Sequence, residues 1–243
     1  MKISTLNRFV TMSLVFTALL LLTLVVLSIS HINADNTLLR SKPNVIDNKS
    51  DLSNEYLTVT RSNFVDVDSN SSLKLTTFTV AAWFNATQYS PLAKYDTHFI
   101  VNKGGLGKEI VGYNMNYGIW MTNKGKIQGG FESISNENYF VTTKGEYNDG
   151  MWHYVVIAYD GVSLNLYIDG KKVASSLTNA MPDNAGNQPV SVGVNSLTIN
   201  HFFSGQIDEV RVFNRAVSNK EVEEQYKFGI FDTHGQVLYL PFN

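Results

Sequence analysis

The 243-residue sequence contains no cysteine. That excludes disulfide staples and thiolate metal sites, so the fold must rely on its hydrophobic core, which a chain of this length can build. It also lacks an excess of one charge: 19 lysines and arginines against 21 acidic residues leave a formal net charge of −2. With no basic field and no basic-aromatic stripe, nucleic acid is set aside as a partner. The five histidines (His31, His98, His153, His201, His234) are scattered, without the H-x-H or H-x-x-x-H pairing that suits a transition metal. No nucleophile elbow occurs. The strand cluster E-x-D-x-x-E, which sets two carboxylates across a glycosidic bond, is also missing. Glu132 and Glu137 are the nearest acidic pair and read as part of a solvated turn, so no catalytic residue is assigned and an enzyme is not expected. The glycine-rich piece Lys103–Lys108 lacks the Walker spacing and reads as an inter-strand turn.

What the sequence does have begins at its N-terminus. Lys2 and Arg8 precede an uncharged apolar run from Phe9 to Ile29. About 20 apolar residues can span a bilayer as a helix, whereas the apolar core of a signal peptide is usually ~7–15. Residues 1–8 therefore read as a cytoplasmic flank and 9–30 as a transmembrane signal anchor. Cleavage as a signal peptide stays open, because Ser28-Ile29-Ser30 and Ile32-Asn33-Ala34 are passable small-residue sites. The positive flank places everything that follows outside the cytoplasm. The expectation is a membrane-anchored domain at the cell surface, or a secreted one after cleavage. Residues 31–54, rich in Asn, Asp, Lys and Ser, read as a polar tether, and 55–243 as the folded domain.

That domain is all-β. Tyr154–Tyr159 is a β-branched and aromatic run ended by Asp160-Gly161. Val162, Leu164, Leu166 and Ile168 then alternate with Ser163, Asn165 and Tyr167 up to Asp169-Gly170, and Lys171–Leu177 follows. Asp-Gly between alternating runs is the strongest short-range hairpin signal. Further strands are predicted at 56–60, 64–67, 76–84, 98–102, 110–121, 126–131, 139–143, 190–194 and 203–214, with turn residues between them. One short helix is predicted from Ser218 to about Lys227, because Ser218-Asn219-Lys220-Glu221 is a capping box.

Three blocks carry a resemblance to a known family. They are Phe78–Ala86 (FTVAAWFNA) followed by Ile100–Gly105; Trp152-His153 ahead of Tyr-Asp-Gly and Leu-Tyr-Ile-Asp-Gly; and Phe202–Tyr226 (FFSGQIDEVRVFNRAVSNKEVEEQY). Their order and spacing resemble laminin-G-like, concanavalin A-like jelly-roll domains. The resemblance covers most of the chain from about Glu55 to Tyr226. It implies a two-sheet antiparallel β-sandwich with one short helix near the C-terminus. The terminal QVLYLPFN resembles a strand that commonly opens such modules, and none like it precedes Tyr56. Gln236–Asn243 either fills that slot from the far end of the chain or begins a further module.

Two candidate sites follow. The resemblance implies a structural calcium position in which Asp208 matches the aspartate of an Ile-Asp-Glu-Val block. Its usual Phe-Asp-Gly partner is replaced by Val59-Thr60-Arg61, so calcium is only a possible cofactor, and pairing of Asp208 with Arg211 or Arg61 is the alternative. The second site comes from alternation. With 110–121 one strand, Val111, Tyr113, Met115, Tyr117 and Ile119 enter the core. Asn114, Asn116 and Trp120 would then share the outer face, two amides and an aromatic platform suited to a sugar ring. The expected function is non-catalytic recognition of a glycan or a cell-surface protein. The alternatives are a structural component of the envelope and a diverged carbohydrate-active enzyme.

Overall fold

A computed structural model describes residues 56–86, 96–105 and 110–242, all within the unit Lys42–Asn243. The n-region 1–8, the anchor or signal segment 9–30 and the tether 31–54 lie outside the described residues. Among the described residues no helix is long and apolar enough to cross a membrane.

The strands are β1 (Leu57–Thr58), β2 (Val65–Val67), β3 (Phe78–Ala86), β4 (Thr97–Lys103), β5 (Tyr117–Thr122), β6 (Ile127–Glu132) and β7 (Asn138–Thr142). They continue with β8 (Trp152–Tyr159), β9 (Ser163–Ile168), β10 (Lys171–Leu177), β11 (Val190–Val192), β12 (Gly205–Phe213) and β13 (Gln236–Leu240). Helix α1 is Asn219–Phe228. One sheet runs β1-β12-β3-β8-β9-β10, with β13 also on β12; the other runs β2-β11-β4-β5-β6-β7. All the ladders are antiparallel, and the inner faces pack on each other as a sandwich.

Alternation builds the core directly. In β3, Phe78, Val80, Ala82, Phe84 and Ala86 point inward and are buried together with Val155, Ile157 and Tyr159 of β8. Fully burying a side chain such as Phe84 contributes about 1.5–3 kcal/mol. Thr79, Ala81, Trp83 and Asn85 face the other way. Asp169 and Gly170 both adopt positive φ (52° and 77°), as a type I′ turn requires. Asp169 does more than turn the chain. Its carboxylate accepts from the Tyr154 amide (2.9 Å) and sits 2.8 Å from His153 Nδ1, so the Trp-His and Asp-Gly motifs are two halves of one clamp. The predicted helix forms as expected, with Ser218 accepting from the Glu221 amide and Glu221 reaching back to the Ser218 amide.

The C-terminal strand fills the open slot. β1 pairs with Gln206 and Ile207 of β12, and β13 pairs with Val210–Phe213 on the same edge. The two ends of the domain thus share one strand position, and a bulge lies between them, with Glu209 at φ 52°. Arg211 fastens β13. Its guanidinium carbon lies 3.6 Å from the Tyr239 ring centroid and 3.8 Å from that of Phe231, and it pairs with buried Glu209 at 2.9 Å.

One strand prediction fails. β5 begins at Tyr117, and residues 110–116 form a turn. Gly112 takes φ 86°, its amide is held by the Asp183 carboxylate, and the Tyr113 and Asn114 amides both bond the Ile110 carbonyl. The alternation expected from Val111 onward is therefore lost: Ile110, Val111 and Tyr113 are exposed, while Asn114 and Asn116 are buried.

Candidate functional site

The outer face of the seven-stranded sheet is divided between a covered half and an open half. Helix α1 lays Val222 over Ala81, Tyr154, Val156 and Tyr167. Tyr154 donates to Gln225 of the helix at 3.0 Å, and burial pushes its phenol well above the ordinary range, so it stays a neutral donor. Beyond the helix, cross-strand pairing sets Trp152 of β8, Asn85 of β3, Gln206 of β12 and Thr58 of β1 in one row. The neighbouring row toward the helix is Tyr154, Trp83 and Asp208.

Aromatic rings frame these rows. Tyr56, 40% exposed, lies against Trp152 with ring centroids 5.7 Å apart and planes at 58°. β12 and β3 lie between β1, which Tyr56 precedes, and β8, which carries Trp152, so the rings lean toward each other across the Asn85–Gln206 pair. Trp83 stacks on Tyr226 of α1 at 5.7 Å and 27°, and packs on Tyr154 at 5.2 Å. Trp83, Asn85, Trp152, Gln206 and Asp208 are all half-buried, accessible yet held by the sheet. Each amide offers two donors and an acceptor, and the aromatic rings present apolar faces beside them. Hydroxyl-bearing rings with one apolar face match that combination.

The residues expected from sequence fall elsewhere. Asn114 donates to the Ser133 carbonyl (3.3 Å) and Asn136 Oδ1 (2.8 Å), and Asn116 brackets the backbone of Leu75 through its amide and carbonyl groups. Both side chains knit loops together from within, so the expected open outer face around them is corrected. Trp120 is on the outer side of the six-stranded sheet, as alternation requires. It is nonetheless buried, packed on Phe99 and Phe140 with its indole N–H donated to Gln128 at 2.7 Å. Asp208 lies on the seven-stranded sheet, away from these three, and joins the aromatic rows. Glu132 is buried, so it does not stand in a solvated turn.

Asp208 Oδ1 accepts from the Glu209 amide at 2.8 Å, in the bulge. Arg211, a candidate partner for it, pairs with Glu209, whose carboxylate also accepts from Tyr239. Calcium takes six to eight oxygen ligands. Among the described residues no group of three or more Asp, Glu, His or Cys side chains comes together to hold a metal.

A two-sheet antiparallel sandwich with one short helix near its C-terminus is a concanavalin A-like architecture. The chain belongs to the laminin G family of the concanavalin A-like lectin/glucanases superfamily, whose model matches residues 59–223. No curated protein matches the sequence. Among solved structures, the binding domain of botulinum neurotoxin serotype G is similar at a TM-score of 0.55 and 14% identity, over 70% of this chain and 41% of that one. The CBM40 of the Ruminococcus gnavus IT-sialidase matches at 0.52 and 13%, over 70% of this chain and 95% of that one. A Bacteroides ovatus protein provisionally assigned to carbohydrate binding matches at 0.52 and 19%, over 77% of this chain and 50% of that one. The chain thus spans half or less of two of these three proteins, and at such identities the likeness concerns the fold.

Sequence reasoning misses Tyr56, Trp83, Asn85, Trp152 and Gln206. Part of the signal is there. Period-two alternation in Phe78–Ala86 puts Trp83 and Asn85 on the face opposite Phe84.

Proposed function

We propose that this domain is a non-catalytic glycan-recognition module that uses the row Trp152–Asn85–Gln206 beneath Tyr56. The observation that carries the reading is the register itself: three strands distant in sequence set an aromatic ring and two amides side by side on an accessible face. The CBM40 of the Ruminococcus gnavus sialidase, similar in fold, has been solved with α2,3- and α2,6-sialyllactose, which supports glycan as the ligand class. The apolar run Phe9–Ile29 supports an extracytoplasmic, membrane-tethered setting at the cell surface.

A glycan array probed with the full chain tests the proposal. Saturable binding that free sugar competes away, and that Asn85→Ala weakens at least tenfold without lowering the melting temperature, is the expected outcome. Uniform silence on the array would favour a structural role in the envelope. Release of reducing ends from a polysaccharide would point to an enzyme.

A further inference from the structure

Exposed large hydrophobic side chains crowd one end of the sandwich. Ile110, Val111 and Tyr113 crown the turn 110–114, and Ile134 and Met181 stand beside them, about half exposed. Val162, in the turn after β8, and Leu177, closing β10 at 79% exposed, sit at the same end, because Val162 accepts the Thr178 amide there. This is the end at which β3 begins: Phe78 packs on Tyr117, Phe131 and Tyr159. The glycan row lies at Asn85, seven residues along the same strand, about 23 Å away at 3.3 Å per residue.

The apolar tips are rigidly held. The Ile134 amide bonds the Met181 carbonyl at 3.0 Å, Gln188 Nε2 donates to the Gly112 carbonyl at 2.8 Å, and Asn114 ties the 110–114 turn to Ser133 and Asn136. Among the described residues, the charges at this end are few or engaged. Asp68, Glu137 and Asp160 are exposed, Asp183 is buried against the Gly112 amide, Lys74 is turned onto Asn187 at 2.7 Å, Lys103 is buried, and Arg215 pairs with Glu221 and Asp232.

We propose that this end of the sandwich is a membrane-docking face that seats the domain end-on on a bilayer, with the glycan row pointing away from the lipid. Aliphatic side chains spread over several loops and strand ends, beside one tyrosine, enter acyl chains without needing a complementary shape, and tyrosine favours the headgroup level. A protein partner would call for aromatic and arginine anchors packed at the centre of a surface with a hydrogen-bonding rim. The same chain carries the uncharged run Phe9–Ile29, and the polar segment 31–54 can keep the domain within tens of ångströms of a bilayer. The described basic side chains at this end are engaged within the domain, Lys74 with Asn187, Lys103 with Ser69 and Gln188, and Arg215 with Glu221, so attachment is apolar and insensitive to salt, and zwitterionic lipid suffices. The inference does not depend on the glycan reading.

The absence of cysteine makes the test direct. Single substitutions Val111→Cys, Ile134→Cys and Leu177→Cys in the full chain carry a polarity-sensitive fluorophore, with Met151→Cys, beside the glycan row, as reference. The labelled proteins are reconstituted in phosphatidylcholine vesicles. Docking predicts that brominated lipid quenches the three end labels and not the reference, while aqueous iodide quenches the reference at least fivefold more than the others, at 50 mM and 500 mM salt alike. Equal iodide access at all four positions overturns the proposal. Protection of the end labels from iodide and brominated lipid together also overturns it, since the cover would then be protein.

Discussion

Lys103 offers the sharpest energetic prediction. It closes β4 with its side chain 1% exposed, and its ammonium donates to Ser69 Oγ at 2.7 Å and to the Gln188 carbonyl at 2.6 Å, both neutral. Burial, and secondarily the nearby charge of Lys74, pull its pKa down to about 8 from 10.5. Below pH 8 the group is charged in folded and unfolded chains alike, and folding bears the full cost of burying it. Between about pH 8 and 10.5 the folded form releases the proton before the unfolded form does. The unfolded chain then binds more protons, and stability rises with pH. The span of about 2.5 units corresponds to at most ~3.4 kcal/mol, and the oxygens and solvent that screen the ammonium bring the expected gain to about 1–2 kcal/mol. Lys103→Met keeps the apolar stem and removes the charge, while leaving two acceptors unmatched, so its stability near pH 7 changes little. Urea unfolding from pH 7 to 10 should show the wild type gaining on Lys103→Met by about 1–2 kcal/mol. Tyrosines whose pKa burial raises affect both proteins equally, so the difference isolates Lys103. Parallel curves would refute the reasoning.

Two more predictions concern the scaffold. Removing 236–243 strips partly buried Val237, Leu238, Leu240 and Phe242 from the core and deprives Arg211 of Tyr239 and Gln236; the expected loss is about 4 kcal/mol or more, and an unchanged melting temperature would contradict it. Burial opposes protonation of His153, but the carboxylates of Asp169 (2.8 Å) and Asp149 (3.2 Å) outweigh it and hold the pKa above the ordinary value. Its stabilisation is therefore full below about pH 6.5 and lost as pH rises through the raised folded pKa. Melting temperatures from pH 5.5 to 8.5 should fall more steeply for wild type than for His153→Gln, and matching slopes would remove the clamp's electrostatic role.

Local chemistry is what the sequence makes legible. Ser218 and Glu221 cap a helix through atoms three residues apart, and Asp169-Gly170 turns a hairpin on its own backbone, so both are readable without knowing the rest of the fold. The turn at 110–116 is not, because the carboxylate that holds Gly112 comes from Asp183, and Asn116 is claimed by Leu75. Alternation alone therefore assigned Asn114 and Asn116 to an open face that does not exist. The proposed glycan row needed one more level. Alternation puts Trp83 and Asn85 on one face, but only the order β12-β3-β8 reveals that Gln206 and Trp152 flank Asn85. The bulge at Glu209 also shifts the register of β12 midway, so Asp208 and Arg211 both face outward despite their odd spacing.

The chain has three tryptophans, and their indole N–H groups give three separable signals in a nitrogen-15 correlation spectrum. Titrating the labelled protein with the strongest sugar from the array tests the central claim most directly. The account predicts that Trp152 and Trp83 shift saturably, while Trp120, buried against Phe99 and bonded to Gln128, stays in place. A saturable shift of Trp120 with Trp152 and Trp83 unmoved would contradict it.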